Sequence, residues 1–444
     1  MKILGILVLG FISLFFSSND SMLVQIEKAG ELRVAINEGI TTYYKRPDGQ
    51  PTGIEYELSK YFARELGVRL KIIKTNSNVT TLNQIIDNKV HFAAGLTVKN
   101  QPKVRFTPHY QNINQQLVYH DDRKSPNSFN ELNYEHKLHV TAEHAEIFKS
   151  LQTKYPKLAW QEMSNTTPYE LAKKIINKEI KYAAFNSNEL TRIRLIHPEL
   201  KTSFSFPQQQ HLAWAFPQSD DNSLYFAAIQ FLNKIKQNGE LQQLIENYYG
   251  YTNNTKNFSP LGIKKFLRHI DKRLPLYQEQ FQFIADQYNL DWRLLAAISY
   301  QESKWDPKAV SYTGVKGLMM LTKLTAEEMG IEDRTNPFES IQGGTKYFVT
   351  LKRRISEQIS ETDRIWLALA AYNVGIGHIS DVRKITASHG DDPNRWRDVK
   401  KHLPKLTQPR WYKKTRYGYA RGHEPVEFVE NIRMFYDILV MNIV

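Results

Sequence analysis

The chain of 444 residues contains no cysteine. This absence excludes disulfides, thiolate metal sites, cysteine nucleophiles and an N-terminal cysteine that could carry a lipid. Long apolar runs are absent too, apart from residues 3–16, which follow the positive start Met1-Lys2. That run is too short to span a bilayer comfortably but has the length of a signal-peptide core. We therefore predict a signal peptide at residues 1–20, with an uncleaved membrane anchor as the alternative; the rest of the chain is exported in either case.

Acidic residues are fewer than basic ones. The chain has 46 Asp and Glu against 59 Lys and Arg, which gives a net charge of +13. Such an excess attracts anionic partners over a long range. Because an exported protein rarely meets nucleic acid, we expect no nucleic-acid partner. A cell-wall polymer and a membrane surface, bound peripherally, fit the charge better.

The first half of the chain alternates between strand and helix patterns. Residues 31–37 and 69–74 have the pattern of strands, and residues 53–67 have that of an amphipathic helix. This alternation predicts βαβ units and a parallel sheet. Residues 223–249 are predicted to form two further helices.

The second half is almost purely helical in its periodicity, and a polar, turn-rich segment precedes it. A chain of this length is expected to form two or three domains. We predict a two-lobed α/β domain at residues 21–251, a linker at 252–265 and an all-α domain at 266–444. The fold class is thus multidomain, with an α/β domain followed by an all-α domain.

Glu302 is the candidate for chemistry in the helical domain. It lies four residues beyond Ile298 and seven beyond Leu295, so it falls on the apolar stripe of the helix that follows Asp291. Burial of a carboxyl group raises its pKa. An acid that stays protonated near neutral pH suits glycosidic cleavage, because the leaving oxygen must receive a proton. On spacing alone, however, a helix-end glutamate paired with lysine or arginine is the stronger interpretation.

Three motifs change this balance: Glu302-Ser303, then Gly317-Leu318-Met319, then Tyr372-Asn373 within Ala-Ala-Tyr-Asn-Val-Gly. In order and spacing they resemble the soluble lytic transglycosylase family, whose domain has a goose-type lysozyme-like fold. The resemblance extends from about Phe266 to the C-terminus. Met320 stands where that family usually has glutamine. Together with the sequence of residues 417–424, this resembles the membrane-bound lytic murein transglycosylase F subgroup.

The resemblance implies an activity and a role for each matching residue. The reaction would be cleavage of the MurNAc–GlcNAc β-1,4 bond of peptidoglycan glycan strands without water, leaving 1,6-anhydro-MurNAc ends. Glu302 would be the acid and then the base, and neither a metal nor an organic cofactor is expected. The substrate-binding residues would be Ser303, near the reacting sugar; Gly317, Leu318 and Met319, along the cleft; and Tyr372 and Asn373, beside the sugar and Glu302.

Two other functions stay open at this point. A hydrolytic, lysozyme-type muramidase would need a second carboxylate opposite Glu302, and a sequence cannot give that distance. A solute receptor with a degenerate C-terminal domain is the other alternative. The intact motif residues, from Glu302 to Asn373, argue against degeneration.

The α/β domain resembles the periplasmic solute-binding proteins that capture amino acids in a two-lobed clamp. Many of these proteins hold the ligand with an arginine and an aspartate, but Asn100 and Asn186 stand at the matching positions. Neutral side chains cannot supply the paired charges that a free amino acid needs. We expect a peptidoglycan fragment as the ligand, or no ligand, and a regulatory or targeting role. The resemblances imply a periplasmic location, peripherally attached to the outer membrane of a Gram-negative bacterium.

Overall fold

A computed structural model describes residues 20–45, 50–164, 166–249 and 260–442. All but the last residue of the predicted signal peptide, and residues 252–259 of the predicted linker, lie outside these ranges. The chain divides into two compact units. The first contains Met1–Tyr43, Glu55–Asn112 and Gln210–Asn238; the second contains Tyr44–Ile54, Ile113–Gln209 and Gly239–Val444.

The elements alternate in the α/β part and are helical afterwards. Up to His120 they are α1 (Met22–Ala29), β1 (Glu31–Asn37), β2 (Tyr44–Lys45), β3 (Pro51–Thr52), α2 (Ile54–Glu65), β4 (Arg69–Thr75), α3 (Asn78–Ile86), β5 (Phe92–Thr97), β6 (Val104–Phe106) and β7 (Gln111–His120). Then follow β8 (Leu138–Thr141), α4 (Ala145–Lys154), β9 (Trp160–Met163), α5 (Pro168–Ile176), β10 (Tyr182–Asn186), α6 (Ser187–Ile196), β11 (Leu200–Pro217), α7 (Ser223–Gln237) and α8 (Glu240–Tyr249). The helical part has α9 (Pro260–Lys272), α10 (Gln278–Gln287), α11 (Trp292–Ser303), α12 (Lys323–Met329), α13 (Pro337–Arg353), α14 (Glu361–Val374), α15 (Ile376–Ser388), α16 (Trp396–His402), α17 (Pro409–Tyr412) and α18 (Glu424–Asn442).

The sheet of the first unit is built on β1. This strand pairs in parallel with β4 on one side and β5 on the other, as the βαβ pattern predicts. The prediction of a purely parallel sheet is wrong, because β5 pairs antiparallel with the C-terminal part of β11, which also pairs antiparallel with β6. The core of this unit is aromatic, and Trp214 lies within 6 Å, centroid to centroid, of Phe62, Phe92 and Phe231.

The α/β part of the second unit also combines parallel strands with one antiparallel neighbour. Strands β8, β9 and β10 pair in parallel, and β7 pairs antiparallel with β10. Their apolar face packs on α4 around Leu138, Val140 and Phe148, which are fully buried. Thr167 caps α5 with a reciprocal side-chain pair to Glu170, so this helix begins where its sequence favours a start.

The helical part of the second unit packs around α11. Ala296, Ala297 and Ile298 have no exposed surface, and the small alanine side chains allow close packing against α18. Asn336 caps α13, with Pro337 in the first turn. Residues 260–265, predicted as part of the linker, instead form the first half of α9. The amphipathic pattern of this helix explains the difference, since Phe266 is fully buried and Ile263 is 8% exposed.

Helix α6 of the α/β part joins the helical part within the same compact unit. Its last turn places Leu195 and Ile196 in the hydrophobic cluster of the helical part. Arg192, only 2% exposed, pairs with Asp437 of α18 at 2.8 Å. No helix among the described residues is long and apolar enough to cross a membrane.

Candidate active site

Helix α11 carries Glu302 at its last turn. Asp291 caps the helix start by accepting the backbone N–H of Arg293, and the same carboxylate pairs with the Arg293 side chain at 2.8 Å. The helix ends at Ser303 because Lys304, with φ of 57°, adopts the left-handed conformation. Pro307 lies beyond the helix end, within the turn that follows.

Trp305 fixes the turn that follows Glu302. It too has a φ of 57°, an unfavourable conformation for a large side chain. The indole is 1% exposed, and its Nε1 donates a 2.8 Å hydrogen bond to the carbonyl of Ala296. Packing against Phe266 and Tyr300 holds the ring. The buried tryptophan thus fixes the backbone conformation of the turn that follows Glu302.

The environment of Glu302 favours its neutral form. Burial raises the pKa of Glu302 to about 8, although the nearby Lys304 acts in the opposite direction. Burial also lowers the pKa of Lys304 to about 8, against the effect of Glu302. Around neutral pH the carboxyl group therefore keeps its proton, which is the state that a general acid requires. Lys304 was not among the predicted site residues, because its position relative to Glu302 depends on the left-handed turn that ends the helix.

Ser303 connects α11 to the Gly-Leu-Met segment. Its hydroxyl lies 2.9 Å from the carbonyl oxygen of Leu318 and 3.2 Å from that of Ser299. Ser299 donates to the Leu318 carbonyl as well, at 3.1 Å. The predicted contact of Ser303 with a sugar remains a prediction, because in this structure its single hydroxyl proton is directed to backbone oxygens.

Gly317 opens the Gly-Leu-Met segment with a φ of 84°. A Cβ at this position would lie 1.7 Å from the backbone oxygen of Arg334, so only glycine fits. Leu318 and Met319 have no exposed side-chain surface. All three predicted cleft residues are therefore buried together with their backbone, and their contact with a glycan stays a prediction. The Met319 backbone N–H donates to Ser340, a contact that no sequence signal indicated.

Tyr372 is the second side chain, after Ser303, that holds a backbone carbonyl of the Gly-Leu-Met segment. Its hydroxyl donates a 2.9 Å hydrogen bond to the carbonyl of Met319, which ties α14 to the Gly-Leu-Met segment. Burial, and secondarily the charge of Glu302, raise the pKa of Tyr372 well above its usual value. Tyr372 is therefore a neutral hydroxyl near Glu302. Asn373, the next residue, is exposed, so its side chain is accessible to a ligand.

The structure thus brings Glu302, Ser303 and Tyr372 together around the backbone of Leu318 and Met319. Catalysis by a single acid needs little more than a protonated carboxyl held rigidly beside an accessible surface. Among the residues that the structure describes, no group of three histidine, aspartate or glutamate side chains is placed to hold a metal ion.

Comparisons with known proteins cover both parts of the chain. Residues 279–394 match the Transglycosylase SLT domain family, and residues 32–251 match the bacterial extracellular solute-binding proteins, family 3. A membrane-bound lytic murein transglycosylase F 1 of Alkalilimnicola ehrlichii is 41% identical over 94% of this chain and 85% of its own length. A membrane-bound lytic murein transglycosylase F of Pseudomonas fluorescens is 42% identical over 94% of this chain and 86% of its own length. Among solved structures, an L-arginine-bound transporter substrate-binding protein of Streptococcus pneumoniae is 22% identical, with a TM-score of 0.45 over 52% of this chain and 98% of that one.

Proposed function

Because the chain belongs to the family of membrane-bound lytic murein transglycosylases F, we propose that Glu302 is the single acid and base with which it cleaves peptidoglycan. The chain is a lytic transglycosylase, with a solute-binding-like domain followed by a lysozyme-like helical domain. The observation that carries the assignment of Glu302 is the burial of its carboxyl group in the last turn of α11, which raises its pKa to about 8.

The reaction follows from the two protonation states of one carboxyl group. Neutral Glu302 first donates its proton to the oxygen that links MurNAc to GlcNAc, while the N-acetyl group of the MurNAc ring assists departure at C1. The resulting carboxylate then accepts the proton of the C6 hydroxyl as O6 of the same ring bonds to C1. The proton returns to Glu302, no water is consumed, and the product is a 1,6-anhydro end. A second enzyme carboxylate is not needed as a nucleophile.

The remaining predicted residues support this chemistry by position. Ser303 and Tyr372 hold the carbonyls of Leu318 and Met319, which keeps the Gly-Leu-Met backbone in place beside Glu302. Rigid support of this kind preserves the geometry that proton transfer requires. We propose that exposed Asn373, which directly follows Tyr372, binds the sugar.

A matched pair of variants tests the assignment of Glu302. Glu302→Gln keeps the shape of the side chain but removes its proton, so release of soluble fragments from sacculi should fall by about 1000-fold or more. Asp306→Asn is the control, because Asp306 accepts the backbone N–H of Lys308 in the turn after the helix. It should keep most of the activity. Full activity in Glu302→Gln would overturn the assignment.

We propose further that the solute-binding-like domain takes a peptidoglycan fragment rather than a free amino acid, and that it regulates or targets the enzyme. Asn186 is 5% exposed, and its side-chain oxygen lies 3.0 Å from Nε2 of His144. Asn100 is exposed and carries no charge that could pair with a ligand carboxylate. Calorimetric titration of the full chain tests this: saturable, tight binding of any common amino acid would contradict it.

The proposed location is the periplasm, with peripheral attachment to the outer membrane. The names of the relatives indicate a membrane-bound protein, and the net charge of +13 supplies an attraction to anionic surfaces.

A further inference from the structure

A run of basic residues begins in α16 and continues to the start of α18. Residues 399–423 contain eight lysines and arginines but no aspartate or glutamate. Three of these cations, Lys400, Lys401 and Arg421, pair with carboxylates elsewhere in the second unit. The other five have no carboxylate within ion-pair distance in the part of the chain that the structure describes. An uncompensated cluster of this kind attracts an anion.

Three of the unpaired cations line one cavity. Lys413, Lys414 and Arg416 lie on its wall together with Lys384 of α15, and all four side chains are exposed. The cavity has a volume of about 510 Å³, and Trp411 supplies an aromatic wall. A concave space of this size suits a small ligand group rather than a flat surface such as a lipid bilayer.

The acidic residue of the cavity, Asp381, offsets only one of these four positive charges. Asp381 is 2% exposed, and its carboxylate accepts the backbone N–H groups of Arg416 at 3.3 Å and Tyr417 at 2.8 Å. Its charge is thus used to hold the loop after α17 against α15. The cations that line the cavity stay available to an external carboxylate, with which lysine and arginine form charge-assisted hydrogen bonds.

Helix α15 links the neighbourhood of Asn373 to the basic cavity, because it starts near the former and carries residues of the latter. Helix α15 begins three residues after Asn373, and Lys384 lies about 12 Å along its axis from Ile376. Tyr417, next to Arg416, covers the start of the same helix: a Cβ at Gly377 would lie 2.6 Å from its ring. Along α15, a cation of the basic cavity thus lies about 12 Å from the start of the helix that follows Asn373.

We propose that this cavity binds a carboxylate of the stem peptide carried by the glycan strand that is held at Glu302. This inference rests on the proposed function, which makes peptidoglycan the substrate. A peptide of four residues spans at most ~14 Å when extended, which matches the separation along α15. Peptide-bearing strands should therefore be better substrates than strands from which an amidase has removed the peptides.

Two double variants of the full chain test the proposal. Lys384→Gln with Arg416→Gln neutralises two sides of the cavity, whereas Lys272→Gln with Arg353→Gln removes the same charge from exposed positions elsewhere in the helical part. The measurement is kcat/KM on peptide-bearing and on peptide-free glycan strands. The cavity variant should lose about tenfold on peptide-bearing strands, mainly through KM, and nothing on peptide-free strands. The control variant should match the wild type on both.

The proposal would be overturned if the cavity variant lost kcat/KM equally on both substrates, or lost none on either. It would also be overturned if the cavity variant kept the preference for peptide-bearing strands but no longer bound anionic phospholipid vesicles. The last result would assign the cavity to lipid headgroups. Failure of the proposed function is distinguishable, because then the wild type would cleave neither strand. In that case calorimetric titration with soluble peptide-bearing muropeptide decides the matter: weaker binding by the cavity variant alone supports the site, and equal binding by both variants contradicts it.

Discussion

At the scale of single residues, Glu302 and Lys304 influence each other across the end of α11. Lys304 lowers the pKa of Glu302, although burial still raises it to about 8. The apolar stripe through Leu295 and Ile298 indicated a buried carboxyl only together with the three motifs, because spacing alone favoured a helix-end glutamate paired with lysine or arginine. The contribution of Lys304 was not predictable, because it depends on the left-handed turn, which directs Nζ back to the carbonyls of Tyr300 and Gln301.

Removal of the lysine charge should move the alkaline limb of the pH–rate profile. Activity falls as Glu302 loses its proton, so kcat/KM should decline as pH rises through about 8. In Lys304→Gln the pKa of Glu302 rises further, and the limb should shift upward by about one unit. Lys323→Gln, at a position 83% exposed, serves as the control and should leave the limb in place. An unchanged limb in Lys304→Gln would mean that Glu302 does not control it.

The raised pKa of Glu302 also makes stability depend on pH. Because the folded state holds the proton more tightly than the unfolded state, the contribution of Glu302 is fully present below about pH 4.5 and is lost as pH rises through about 8. Glu302→Gln should therefore have nearly the wild-type melting temperature at pH 4.5. At pH 8 it should be the more stable protein, by up to about 4 kcal/mol. Calorimetric melting at both pH values tests this, with Glu327→Gln as an exposed control; an advantage at pH 4.5 only would contradict it.

At the scale of elements, the loop between α11 and α12 depends on two glycines with nearly the same backbone conformation. Gly314 and Gly317 have φ of 82° and 84°, but a Cβ meets nothing within 4 Å at the first and the Arg334 backbone oxygen at the second. Gly314→Ala should cost only the left-handed conformation, about 1–2 kcal/mol. Gly317→Ala should cost at least about 3 kcal/mol and abolish activity, because the backbone beside Glu302 must move. Denaturant unfolding measures both; equal losses would contradict this account.

Strands and helices with a regular apolar periodicity were predictable from the sequence, whereas those with an interrupted periodicity were not. The predicted strands at residues 31–37 and 69–74 agree with β1 and β4 to within a residue. Strands β7 and β11 were missed because glutamine and asparagine interrupt their alternation, and their partners are distant in the chain. Helix α3 begins at Asn78 because Ser77 caps it through a reciprocal pair with Thr80, which an apolar pattern does not reveal.

At the scale of the whole molecule, composition predicted the sign of the charge but not its location. The basic cavity combines Lys384 and Arg416, which are 32 residues apart, so only the fold reveals it. The order of the two domains was predictable from the motifs. The way α6 of the α/β part contributes Leu195 to the core of the helical part was not, because its apolar pattern fits packing within either part.

Charge should dominate the attachment of the mature protein to membrane or wall. With a net charge of +13 and no cysteine for a lipid, binding should weaken as salt screens the attraction. Washing isolated membranes with rising salt should release most of the protein by about 1 M, where the screening length is ~3 Å. Retention at high salt with release only by detergent would indicate an uncleaved anchor at residues 3–16.

The central claim is that one carboxyl group, Glu302, cleaves the glycan without water. Mass spectrometry of the fragments that the purified wild-type protein releases from sacculi tests it most directly. The account predicts 1,6-anhydro-MurNAc ends, formed when Glu302 takes the C6 hydroxyl proton of the ring it has just freed. Reducing ends, one water heavier than the anhydro species, would contradict it and identify a hydrolase.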